Sequence, residues 1–233
     1  MVESPAVADT QCPATVRRRV AAAAPGALSV VAPAVVLGLH GAVYGRWIVD
    51  DAAITFAYAR SVATGAGPVL QPGADAVEGF SDPTWLGLLA LGRRLGLFDH
   101  GAWFGLPDYV LFPKLLALLL GAGTFVAFHV IARSTTGRPA TVTIVAGTLT
   151  ALVPSFAIWV FSGLENSLLA FAACWTAAVL AHAVATHTLL TPVTAVVCGL
   201  LAALAALTRP DGLVYVAAYP LAVLLTLGGT RPR

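Results

Sequence analysis

An all-α, polytopic membrane protein is the fold class this sequence predicts, and two observations predict it. Of the 233 residues, 58% are hydrophobic and only 10% are charged, whereas a soluble domain carries roughly 45–50% apolar and about 25% charged residues. With a mean hydropathy of +0.86, there is too little polar surface to clothe a water-soluble globule of this size. The second observation is the arrangement of the apolar residues in runs approaching the ~20 residues that cross a bilayer. Lys and Arg number 13 and Asp and Glu 11, a net charge of +2. That balance lacks the concentrated basic face of a nucleic-acid binder, so a lipid bilayer and no nucleic acid is the expected partner.

Residues 1–25 form a polar tail that includes Arg17, Arg18 and Arg19. The transmembrane region follows over 26–233, with six expected spans at 27–44, 111–132, 141–161, 168–184, 193–207 and 213–227. The first run outlasts the ~7–15-residue core of a signal peptide and shows no small-residue cleavage site, so it reads as an uncleaved span. Arginines set the orientation, because short cytoplasmic loops collect them. Arg17–Arg19, Arg133 with Arg138, and Arg231 with Arg233 fall on one side if the spans alternate. This predicts a multi-pass plasma-membrane protein whose tail is cytoplasmic, with the long loop 47–108 and the Ser162–Asn166 turn extracytoplasmic. Arg93, Arg94 and Lys114 oppose the count, but they belong to or border the long loop, where the rule is weaker.

Cys12, Cys174 and Cys198 form no CxxC pair and read as small hydrophobes. His40, His129, His182 and His187 lie in or beside spans at no ligand spacing and read as packing residues.

The first loop carries the chemistry. Asp50-Asp51 opens a helical pattern in which Ile54, Tyr58 and Val62 repeat every four residues, and Gly65, Gly67 and Pro68 end it. A second helix starts at Ser81-Asp82-Pro83, with Ser81 or Asp82 as cap and Pro83 in the first turn. Such helices suit a membrane surface, apolar face down. The Asp50-Asp51 pair has two readings: an N-cap that satisfies free backbone N–H groups, or a general base for a polar substrate at the membrane surface. Glu78 reads either as an exposed loop carboxylate or as part of the same site. Glu165, in the Ser162-Gly163 turn between two apolar helices, is a cap or a site residue. Arg209 precedes Pro210, which breaks the helix there. It is either an interfacial anchor paired with Asp211 or a ligand for an anion.

Several stretches resemble known motifs. Asp50-Asp51-Ala52-Ala53-Ile54-Thr55-Phe56-Ala57-Tyr58-Ala59-Arg60 resembles the Asp-Asp-Ala-aromatic-Ile-Thr-Phe-Arg-Tyr-Ala-Arg signature of a branch of the GT-C membrane glycosyltransferases. Gly65-Ala66-Gly67-Pro68-Val69 and Gln71-Pro72-Gly73 look like that branch's Gly-His-Gly-Leu-Val and Asn-Pro-Gly. Val77-Glu78-Gly79-Phe80-Ser81-Asp82-Pro83-Thr84-Trp85 resembles its Val-Glu-Gly-Tyr-Thr-Asn-Pro-Leu-Trp. Ser162-Gly163-Leu164-Glu165 is similar to its Thr-Gly-Leu-Glu turn, and Thr208-Arg209-Pro210-Asp211-Gly212 to its Thr-Arg-Pro-Glu-Gly motif. The motifs keep their order over about residues 45–215. The branch they resemble most is the terminal arabinofuranosyltransferases of actinobacterial cell walls. Ala53 and Ala57 stand where the family has an aromatic residue and an arginine, so contacts from those positions are not carried over.

The resemblance implies a GT-C-type bundle that transfers a sugar, arabinofuranose in that branch, from a polyprenyl-phosphate donor to a cell-envelope glycan acceptor outside the cytoplasm. It assigns catalysis to Asp50 or Asp51. Glu78 and Glu165 would be secondary carboxylates lining the same cavity, and Arg60, Arg209 at the helix break and Lys114 near the start of the second span are the other expected substrate-binding residues. Whether the aspartate pair also takes a divalent cation is left open, because related enzymes do not all need a metal. A membrane transporter or a non-catalytic scaffold subunit is the alternative, since a break such as Thr208–Gly212 also suits a permease. Members of the family are longer, so this chain is expected to be an N-terminal portion with little transferase activity of its own. Purified residues 1–233 given donor and acceptor check this, and robust sugar transfer would contradict it.

Overall fold

The apolar runs all fold as helix, because a backbone inside lipid has no water to bond and must satisfy its N–H and C=O groups internally. The structure, a computed structural model, describes residues 14–77 and 79–229, with 14–25 and 229 as backbone only. Cys12, Glu78, Arg231 and Arg233 lie outside the described residues, as do the side chains of Arg17–Arg19. Helix α1 (Ala14–Val43) carries the first run and begins inside the predicted tail. The four alanines after Val20 supply the helix propensity for that extension. The second run is α4 (Asp108–Thr135). The third is divided into α5 (Pro139–Leu152) and α6 (Pro154–Val160), which meet at 77°. Pro154 explains the break, since it holds Val153 extended at φ −67°, ψ 115° and lacks an N–H to continue the ladder. Next come α7 (Asn166–Ala185) and α8 (Pro192–Thr208). A 3₁₀ segment (Pro210–Ala217) then leads into α9 (Ala218–Gly229).

The described residues hold fewer long apolar helices than the expectation of about six spans. Among the described residues, four helical stretches are long and apolar enough to cross a membrane: Gly26–Val43, Asp108–Thr135, Asn166–Ala185 and Pro210–Gly228. The bent α5–α6 pair makes a fifth if it counts as one span. The 17 residues of α8 rise only about 26 Å at ~1.5 Å per residue, less than the ~30 Å hydrocarbon core. Proline at each end of α8, Pro192 and Pro210, limits its length, which hydropathy alone does not register.

Between α1 and α4 the predicted loop helices form as α2 (Ala52–Ala63) and α3 (Pro83–Arg94). An antiparallel hairpin that the pattern did not predict follows, with β1 (Ala102–Trp103) against β2 (Leu106–Pro107). Asp108 anchors it by accepting the N–H groups of His100 and Gly101, both at 2.8 Å, on one carboxylate oxygen.

Two apolar cores result. In the bundle, Leu37, Ala117, Phe125, Ala151, Val160 and Phe161 pack together. Small residues let the helices close on one another, so a Cβ at Gly121 would lie 2.6 Å from Leu37 Cδ2. The outer core joins Ala52, Phe56 and Ala59 of α2 to Trp85 and Leu89 of α3, with Phe98 and with Leu168 of α7. The apolar faces of α2 and α3 therefore meet each other and the start of α7, where the sequence reading laid them on the membrane surface. His40 and His129 act as packing residues, whereas His182 and His187 are exposed. His40 Nδ1 bonds the Ala151 carbonyl at 2.8 Å, and His129 meets Ser29 and Thr143 at 3.2 and 3.1 Å.

The close approach of α8 to the 3₁₀ segment generates a prediction. At Gly212 a Cβ would collide with the carbonyl of Ala205, a backbone group that cannot rotate aside. Gly212→Ala is expected to cost about 1–3 kcal/mol, the usual cost of overpacking. Thermal unfolding of the purified variant in detergent measures it.

Candidate functional site

The site is assembled where the 47–108 loop docks onto the start of α7 and the end of α8. Two backbone-directed bonds fix the docking. Val49 N–H donates to the Ser162 carbonyl at 2.9 Å, and the fully buried Trp85 donates its Nε1–H to the Gly163 carbonyl at 3.0 Å. Gly163 has φ +91°, a left-handed conformation that favours glycine, and its open Cα leaves room for Ala52 and Phe56. The Ser162 hydroxyl closes the turn by accepting from Leu164 N–H at 3.2 Å and donating to the Trp159 carbonyl at 2.8 Å. On the other side, the Thr84 hydroxyl donates to the Leu207 carbonyl at 3.1 Å and ties α3 to the end of α8.

These ties surround a cavity of about 530 Å³ lined by Asp51, Thr55, Ser81, Asp82, Glu165 and Arg209 among others. Glu165 is 6% exposed and occupies the N-cap position of α7 without making a cap bond. Its carboxylate accepts from Arg209 Nη1 at 2.9 Å. Arg209 sits extended in the break between α8 and the 3₁₀ segment, at φ −151°, ψ 147°. It also donates Nε–H to Asp211 at 3.0 Å and reaches Asn166 at 3.4 Å. The pairing with Asp211 that the sequence offered is therefore present, alongside a deeper partner.

Asp51 lines the cavity, is exposed, and makes no cap bond although it stands at the N-cap of α2. Its backbone is already helical there (φ −59°, ψ −28°), so the capping account of this carboxylate does not hold. Asp50 is exposed and lies outside the cavity lining. Arg60 and Lys114 do not join the site. Arg60 Nε pairs with Asp99 at 2.5 Å, in a cluster shared with Arg93. Lys114 Nζ donates to the Gly45 carbonyl at 2.7 Å and pins the end of α1 to α4. Glu78 is outside the described residues.

Comparison with family models, curated proteins and solved structures returns no match for this chain. The site therefore rests on its own geometry.

Sequence reading missed Asp82, which it took as a possible cap. Its carboxylate is 3% exposed, faces the cavity, and accepts the Thr55 hydroxyl at 3.2 and 3.4 Å. Burial, reinforced by the negative charge of Glu165, pushes its pKa up from 3.8 to about 6, against the opposing pull of the Thr55 bond and Arg209. One signal was visible: an ionisable Asp82 stands where the resembled motif carries a neutral asparagine. A buried carboxyl whose pKa is raised by desolvation and a specific charged neighbour inside a cavity is a candidate functional group. Among the described residues no three His, Cys, Asp or Glu side chains are close enough to hold a metal ion.

A pH prediction follows from Asp82. Because the folded pKa is the higher one, the fold holds this proton more tightly than the unfolded chain does. The stabilisation is fully present below 3.8 and is lost as pH rises through about 6. Asp82→Asn is expected to gain stability over the parent at pH 7.5, on the order of 3 kcal/mol at most, with the gap closing towards pH 4. Melting temperatures of both proteins across that range measure the difference.

Proposed function

We propose that this chain carries the catalytic cavity of a GT-C-type membrane glycosyltransferase. The reaction would move a sugar, arabinofuranose by resemblance, from a polyprenyl-phosphate donor to a cell-envelope glycan acceptor on the extracytoplasmic side of the plasma membrane. One observation carries the reading: Asp51, Asp82, Glu165 and Arg209, drawn from four of the resembling motifs, converge on one cavity at one end of an apolar bundle.

The chemistry asks little of the protein beyond position and a proton acceptor. The acceptor hydroxyl oxygen attacks the anomeric carbon, and the bond from that carbon to the donor phosphate oxygen breaks. Polyprenyl phosphate leaves with the electron pair. Asp51, exposed at the cavity and without a partner among the described residues, takes the hydroxyl proton. Arg209 holds the phosphate by giving up Asp211, whose side chain is 66% exposed, while keeping Glu165. An exposed ion pair of that kind is worth ~0–1 kcal/mol, so the exchange costs little.

Charge adds a constraint. Three carboxylates against one arginine give the described cavity 1 − 3 = −2 when all are ionised. A donor phosphate meets net repulsion there, and a proton on Asp82 reduces it. Donor binding should therefore strengthen as pH falls through about 6, and Asp82→Asn should tighten it at neutral pH.

A solute transporter is the second reading, favoured by the 77° break between α5 and α6, since interrupted helices line transporter sites. Proteoliposomes separate the two. Transfer onto acceptor glycan with release of polyprenyl phosphate supports the enzyme, and solute uptake without transfer supports the carrier.

In an active preparation, Asp51→Ala is expected to lower turnover by about a hundredfold or more while leaving the melting temperature unchanged. Unchanged turnover in both Asp50→Ala and Asp51→Ala would remove the proposed base. Arg209→Ala should weaken donor binding by about 1.5–3 kcal/mol, the range for hydrogen bonds to charged groups. Arg209→Lys should restore little, because an ammonium lacks the planar fork.

A further inference from the structure

Two cavities adjoin at the opposite end of the bundle, far along the helices from Asp51. The first, about 470 Å³, is lined by Arg133 and Ser134 at the end of α4 and by His182 and Thr186 at the end of α7. The second, about 450 Å³, runs between α7 and α8 and is largely apolar, with Trp175, Val179 and Val197 in its lining. Val130 and His182 line both, so the polar mouth continues into the apolar slot. Each volume lies within the ~300–1,000 Å³ range of ligand cavities.

Charge is segregated along the bundle. Every described Asp and Glu lies in the 47–108 loop, in the turn before α7 or just after α8, which is the end that holds the Asp51 cavity. The mouth at the far end therefore has cationic and hydroxyl groups with no described carboxylate beside them. Arg133 makes no ion pair among the described residues, whereas Arg60, Arg93 and Arg209 each hold a carboxylate. An arginine in the last turn of α4 is also favoured by the helix dipole. The dipole does not account for the apolar slot that continues from the mouth. At the end of α7 the His182 carbonyl is occupied, because Thr186 donates both its N–H (2.9 Å) and its hydroxyl (2.8 Å) to it. Trp175 spends its N–H on the Gly123 carbonyl at 3.1 Å, which leaves its ring as apolar lining.

We infer that this paired cavity binds one anionic phospholipid, with its phosphodiester at Arg133 and His182 and an acyl chain in the slot between α7 and α8. Basic pockets between membrane helices take anionic headgroups in this way. The inference is independent of the proposed glycosyl transfer.

The full chain in phosphatidylcholine nanodiscs containing a small fraction of phosphatidylglycerol provides the test. Native mass spectrometry should show one phosphatidylglycerol retained in preference to phosphatidylcholine. Arg133→Gln should lower that preference about fivefold, the weight of one basic side chain at an anionic surface. Val197→Trp, which fills the slot without changing charge, should abolish retention. Phosphatidylglycerol with brominated acyl chains should quench tryptophan fluorescence more than brominated phosphatidylcholine, and Trp175→Phe should remove the excess. Equal retention of the two lipids, or an unchanged preference in Arg133→Gln, would overturn the inference. Displacement of the lipid by soluble glycerol phosphate would also overturn it, because the slot would then contribute nothing and the mouth would be a site for free phosphate.

Discussion

Two carboxylates, Asp82 and Glu165, are almost wholly removed from solvent beside a single guanidinium, and the half of the structure that carries the 47–108 loop is arranged around that constraint. A buried carboxylate is stable only when it is paired, hydrogen-bonded or protonated. Glu165 takes the first route through Arg209, and Asp82 takes the others, through the Thr55 hydroxyl and a pKa near 6. Arg209 can reach Glu165 only because Pro210 ends α8 and leaves residue 209 extended. The helix break and the ion pair therefore depend on each other.

That arrangement requires the loop to be held against the bundle, and the holding bonds are mostly to backbone. Trp85 to Gly163, Val49 to Ser162 and Thr84 to Leu207 bring α2, α3, α7 and α8 to one place. Backbone acceptors do not change with pH, so the site can carry titrating side chains without its frame titrating too. The apolar contacts of Phe56, Leu89, Phe98 and Leu168 close the frame from inside. Asp51, at the rim and free of a capping role, is left available for chemistry.

The two ends of the molecule have opposite character for related reasons. At the site end, acidic groups crowd together and compete for one arginine. At the far end, cationic and hydroxyl groups stand over an apolar slot without a described carboxylate.

The sequence by itself determined the membrane character, the positions of α2 and α3, and the small set of polar breaks from which any site had to come. Apolar content, Pro83 and the glycines after Ala63 act locally, so they are legible without the fold. Asp51, Glu165 and Arg209 were legible as candidates because a charge between apolar runs is costly enough to need a reason. Only the tertiary structure decided which of them meet. Arg60 goes to Asp99 and Lys114 to Gly45 because partners some forty to seventy residues distant in sequence are brought beside them, and no local pattern records that. The structure also turned Asp82 from a cap into a buried acid. Its pKa depends on burial and on Glu165, both set by how α3 and α7 pack and neither written in its neighbours along the chain.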